Sequence, residues 1–203
     1  MEIKLYYAPK TRAVRPRWLM EELQLEYELI TVDIFTGETR KPWYKKLHPH
    51  SQVPVLIADE QVMFESGAIC AWLTDLFPEK HMAPKRESLE RATYEQWMYY
   101  VPATLEPPLF NYALHKFLLP ESMRVTEILP WNEKTSRRLL KELNKHLRER
   151  QYLVADQFST ADIMMTSTLL WMPDFMKGLS NLENYCADLS ERPAYKRAIS
   201  NPT

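Results

Sequence analysis

The chain has 203 residues, 45% hydrophobic and 26% charged, with 26 Lys+Arg against 27 Asp+Glu. That length admits one large domain or two small ones and enough chain to bury a core without staples. A formal net charge of −1 gives no electrostatic footprint for nucleic acid or an anionic membrane.

The first ten residues, MEIKLYYAPK, hold no apolar signal core, and no stretch approaches the ~18 apolar residues of a membrane span. The expectation is a cytoplasmic protein with reduced thiols. Within that segment Ile3-Lys4-Leu5-Tyr6-Tyr7 reads as a strand, stopped by Pro9. From Thr11 to Gln24 the pattern turns helical, with Val14, Trp18 and Leu23 sharing a face. Residues 27–32 form a second strand, and a ragged polar stretch follows from Phe35 to Ser51. Val55-Leu56-Ile57 and Val62-Met63-Phe64 are short strands joined by a turn at Asp59-Glu60. Ile69, Trp72, Leu73 and Leu76 then recur at helical spacing up to Phe77-Pro78. Strand–helix–strand followed by a hairpin implies a mixed sheet with helices packed on it.

Beyond Pro78–Pro84, which reads as a linker, almost nothing resembles a strand. Helical runs fall at about 88–100, 132–150, 160–171 and 182–190, with Pro102, Pro107, Pro108, Pro120 and Pro130 expected to break the first from the second. Ser159-Thr160-Ala161-Asp162 carries a capping-box variant, with Phe158 placed as a hydrophobic staple. The expected organisation is an α/β domain over residues 1–78 and an all-helical domain over 86–203.

Several chemistries are disfavoured by what is missing. Gly37, Gly67 and Gly178 are the only glycines and lie too far apart for a Walker loop or G-x-G-x-x-G. Cys70 and Cys186 make neither C-x-x-C nor a zinc spacing, and the five histidines contain no H-E-x-x-H, so no metal is expected. His48 and His50 flank a proline and read as loop residues.

Two short segments carry the site argument. In Gln52-Val53-Pro54-Val55 a proline opens a strand after a polar loop. As a trans proline it is a plain strand start. As a cis proline it would present the N–H and C=O of Val53 to an extended ligand, as an added strand would be met. Eleven residues past Pro54, Glu65-Ser66-Gly67 stands at a strand-to-helix junction. Ser66 can cap that helix, or join its free N–H groups in holding a carboxylate, while Glu65 could pair with an ammonium. Together the segments suit the zwitterionic end of an amino acid or peptide.

In this order and spacing the chain resembles the cytosolic glutathione transferase family over nearly its whole length. The resemblance implies a thioredoxin-like first domain with a cis proline at Pro54 and an all-helical second domain. It also implies glutathione as co-substrate, with Val53 meeting the cysteinyl backbone, Glu65 and Ser66 holding the γ-glutamyl end, and Gln52 near the glycyl carboxylate. Asp162 then has a folding role. The partners implied are glutathione and a small electrophile, with a homodimer as the usual assembly and Tyr100 a candidate in the second-substrate pocket. The activating group stays open. In Tyr6-Tyr7-Ala8-Pro9-Lys10-Thr11-Arg12 there is no serine or cysteine. Thr11, with Arg12 supplying its N–H or guanidinium, is one candidate. Tyr6 is another, and the third reading has no activating side chain. The expected activity is attack of the glutathione thiolate on an electrophile, or peroxide reduction. The alternative is a non-catalytic binding or regulatory protein of the same fold.

Overall fold

Alternation along the first strand sets the architecture of the N-terminal half. A computed structural model describes residues 1–200. In β1 (Ile3–Tyr7), Ile3, Leu5 and Tyr7 are buried while Lys4 and Tyr6 are partly exposed, so the strand presents two different faces. β2 (Glu28–Thr31) pairs parallel to it, whereas β3 (Val55–Ala58) pairs antiparallel to β1 and β4 (Gln61–Phe64) antiparallel to β3. The four-stranded order is β2-β1-β3-β4, the mixed sheet expected of the first half.

Helices α1 (Val14–Leu23) and α3 (Ser66–Leu76) pack on each other. The short helix α2 (Pro42–Lys45) serves the face that carries Tyr6. There Val32, Tyr44 and Val55 form a buried cluster, with Tyr6, Leu47 and Val53 against it. The register Tyr6↔Val55 and Val55↔Phe64 brings the end of β1, the start of β3 and the end of β4 to one end of the sheet. The loops that leave it there carry Lys10, Ser51 and Glu65, all with positive φ.

The chain divides into two compact units, Met1–Ala83 with the segment from Ser190 on, and Pro84–Leu189. The last helix, α9 (Pro193–Ile199), therefore packs with the first unit, where the sequence reading counted it with residues 86–203. Its attachment is made by side chains. Arg192 grips Glu22 through two hydrogen bonds of 2.6 and 2.8 Å. Arg197 reaches Glu21 at 2.6 Å, and the Tyr195 ring lies 4.6 Å from Trp18.

The second unit is helical. After α4 (Leu89–Tyr100) the chain does not break at Pro102, Pro107 or Pro108, contrary to expectation, and the helical run ends at Leu119-Pro120. That run continues through a π-helical turn at Val101–Leu105, α5 (Glu106–Ala113) and a second π turn at Leu114–Leu118. Pro107 and Pro108 follow directly on the first π turn, so the bonds that they cannot donate fall at the junction between that turn and α5. The widened turns accommodate the interruption, as the i→i−5 bond from the Glu106 N–H to the Val101 carbonyl shows. Helices α6 (Leu129–His146), α7 (Thr160–Leu169) and α8 (Ser180–Ser190) complete the unit. Every residue of α7 is buried, which makes it the unit's central helix. No helix among the described residues is long and apolar enough to cross a membrane.

Candidate functional site

The three loops at the common end of the sheet hold most of the site residues read from the sequence. The Val53–Pro54 peptide is cis and Pro54 is buried. Among the described residues, none donates to the Val53 carbonyl or accepts from its N–H. Gln52 is exposed, and its carbonyl accepts a 2.7 Å hydrogen bond from the buried Tyr44 hydroxyl.

Glu65 occupies the N-cap position of α3 with φ 71° and ψ 107°, and among the described residues no side chain caps the helix. That conformation lies outside the left-handed helical region and costs a non-glycine residue about 1–3 kcal/mol. Its side chain is exposed. Ser66 is the first helical residue, not the cap. The residue is 4% exposed, and its hydroxyl accepts a 3.1 Å hydrogen bond from Nη1 of Arg15, a residue 1% exposed. Because Arg15 can only donate, the Ser66 proton remains available to an outside acceptor. With no side-chain cap, the first-turn N–H groups and the positive end of the helix dipole face the same way. Arg15 is a residue that sequence reading missed. Its only signal was a charged residue at a helical position otherwise facing the core.

Thr11 sits in the β1–α1 loop, half-buried. Its hydroxyl donates to the Ala8 carbonyl at 2.7 Å and accepts from the Ala13 N–H at 3.2 Å, closing a turn ahead of α1. Arg12 follows it, also half-buried, at the start of that turn. Tyr6 lies on the α2 face of the sheet, its ring 6.2 Å from Trp43 and 5.8 Å from Tyr44. It is a packing partner of the Val32–Tyr44–Val55 cluster. Tyr7 points to the opposite face, where its hydroxyl donates to the Ala198 carbonyl at 3.4 Å. Tyr100 belongs to the second unit. Its ring packs edge-on against Trp97 at 5.1 Å, and burial pushes its hydroxyl above the ordinary tyrosine range.

Both thiols are buried and pushed up to about 12 by burial, Cys70 despite the nearby Arg15 charge. Neither supplies a thiolate at neutral pH. Among the described residues, no group of three or more His, Cys, Asp or Glu side chains is placed to hold a metal ion.

Residues 1–75 match the family described as the glutathione S-transferase N-terminal domain, and residues 114–195 match its C-terminal domain. Glutathione S-transferase 3 of Schizosaccharomyces pombe is 28% identical, over 97% of this chain and 86% of that protein. The disulfide-bond oxidoreductase YfcG of Escherichia coli is also 28% identical, over 79% of this chain and 76% of its own length. A glutathione transferase from Pseudomonas putida, solved with one glutathione disulfide per subunit, superposes with a TM-score of 0.88 at 21% identity. That superposition covers 100% of this chain and 92% of that one.

Proposed function

The chain belongs to the glutathione S-transferase family, and from that membership we propose that it is a glutathione transferase whose peptide site is the loop end of the sheet in its first unit. The observation that carries this reading is the unclaimed backbone of Val53 beside the uncapped start of α3. Glutathione lies extended along Val53, its cysteinyl N–H and C=O pairing with that residue as a short added strand. The γ-glutamyl carboxylate takes the Ser66 proton and the first-turn N–H groups of α3, and the Glu65 carboxylate faces its ammonium. Gln52 serves the glycyl end.

The thiol is then directed to the start of α1, where Thr11 and Arg12 lie. A free thiol titrates near ~8.5, so most glutathione is protonated at neutral pH. Each pKa unit by which the site stabilises the thiolate is about 1.4 kcal/mol. The positive end of the α1 dipole, with the Arg12 charge, supplies that stabilisation. The Thr11 hydroxyl contributes a direct hydrogen bond only by releasing the Ala8 carbonyl. Tyr6 remains the second candidate, and its packing against Trp43 and Tyr44 favours a structural role. The thiolate attacks a small electrophile, forming a C–S bond as the leaving group departs and the thiol proton passes to solvent. The working assembly is a homodimer in the cytoplasm.

A second reading, thiol-dependent disulfide reduction, is favoured by the similarity to the YfcG oxidoreductase. A calorimetric titration of glutathione, followed by thiolate absorbance at neutral pH, tests both. Binding with a thiolate signal supports the transferase. Binding without one points to a reductase or carrier, and absence of binding removes the glutathione reading.

A further inference from the structure

The loop that delivers Val53 is held residue by residue from the end of α2. The His50 N–H donates to His48 Nδ1 at 3.1 Å, and the Ser51 N–H donates to the His48 carbonyl at 3.0 Å. The Tyr44 hydroxyl donates to the Gln52 carbonyl at 2.7 Å, and the His48 N–H in turn reaches the Tyr44 carbonyl at 2.9 Å. His48 is therefore the hub of the segment that precedes Val53. It is only 3% exposed, and its ring lies 4.8 Å from Phe64, the residue immediately before Glu65.

One of these tethers depends on protonation. Nδ1 accepts from the His50 N–H only while it carries no proton, and an imidazolium has two donors and no acceptor. Protonation would set a donor against the His50 N–H in a buried place. We propose that His48 is a positioning residue for the glutathione site, its neutral ring holding residues 50–52, and hence the Val53 backbone, in the shape that receives the peptide. Acid then weakens binding by releasing this loop. The inference rests on the glutathione reading of Val53.

The groups facing the ring are His50 from its own loop, 6.1 Å away between centroids, and Glu65 from the start of α3. Burial is the largest influence and lowers the affinity of His48 for a proton. His50 lowers it further and Glu65 opposes. The ring is thus neutral at pH 7. The sign follows from linkage. The released loop binds the proton better than the closed one, so closure is favoured above the ordinary histidine range near ~6.5 and loses ground as pH falls below it.

The test uses S-methylglutathione, whose sulfur has no proton to lose, so thiol ionisation cannot mimic the effect. Calorimetric Kd values at pH 7.5 and pH 5.0 are compared for the wild-type chain and His48→Asn, whose side-chain oxygen can accept the same bond at every pH. The wild-type protein is expected to bind about fivefold more weakly at pH 5.0, and the variant to change less than about twofold. An equal ratio in both proteins, or a wild-type Kd that does not move, overturns the proposal. Absence of binding at pH 7.5 overturns the glutathione reading itself and this inference with it. A wild-type measurement stands beside the variant. By reciprocity, saturating S-methylglutathione must lower the NMR titration midpoint of the His48 ring. An unmoved midpoint also refutes the role.

Discussion

The starts of α3 and α7 each carry a serine, and they use it in opposite ways. At the start of α7, Ser159 is 2% exposed and Asp162 is fully buried. The Asp162 carboxylate accepts from the Leu153 N–H at 2.9 Å and the Tyr185 hydroxyl at 2.8 Å. It also accepts from the N–H and hydroxyl of Ser159, both at 2.9 Å. Burial pushes the Asp162 carboxyl above its ordinary value, and the four donors pull against that shift. At the start of α3 the cap position is a glutamate with a sparsely populated backbone, and among the described residues no side chain caps the first turn. Among the described residues the Ser66 hydroxyl has one partner, and it is a donor, Arg15. A closed capping network stabilises a fold. An open helix start, kept open at the cost of backbone strain, is available to a ligand.

The contrast is tested most severely by Asp162→Ala, which strands four donors in the interior. Stability should fall by about 3–4 kcal/mol in urea denaturation, with glutathione affinity per folded molecule unchanged. A loss below 1 kcal/mol would mean that the capping network is redundant. Ser66→Ala should do the reverse, weakening glutathione binding by about 1–3 kcal/mol while shifting the urea midpoint little. Unchanged affinity in a titration would remove the γ-glutamyl assignment from α3.

Thr11→Val keeps the shape at the start of α1 and deletes the hydroxyl. Turnover should drop about tenfold, roughly 1.4 kcal/mol, with glutathione affinity nearly constant and the pH–rate profile displaced upward. A profile that stays in place would leave Thr11 as a turn residue and move attention to Tyr6. The smallest effect belongs to Tyr44→Phe, which removes the hydrogen bond to the Gln52 carbonyl. A stability loss of about 1 kcal/mol is expected, with a modest rise in the KM for glutathione. A stability loss without any change in KM would show that the Gln52 tether does not shape the site.

Much of the organisation was legible in the chain because it is written in local patterns. The five-residue strand Ile3–Tyr7, the hairpin around Asp59-Glu60 and the box at Ser159–Asp162 each follow from period or cap chemistry within a few residues. The loops at Gln52-Val53-Pro54 and Glu65-Ser66 were visible for the same reason, and the antiparallel register of β3 and β4 brings them side by side. The helical continuation through Pro102, Pro107 and Pro108 was not legible. A local rule forbids proline inside a regular α-helix and does not register that wider turns can absorb it.

What tertiary structure alone decided involves pairs far apart in sequence. Arg15 looks from the sequence like any charged residue on a helix, and only folding sets it against Ser66, 51 residues away. The return of α9 to the first unit depends on Arg192 and Arg197 meeting Glu22 and Glu21 across 170 and 176 residues. His48 shows the same division within one loop. Its neighbours in sequence mark a turn, but whether its ring lies in solvent or is buried against Phe64 with Nδ1 accepting from His50 is set by packing. Hydrophobic period and cap residues act over one or two turns of chain, so a sequence records them directly. Burial and partner choice depend on which distant surfaces meet, and that is determined only when the chain closes on itself.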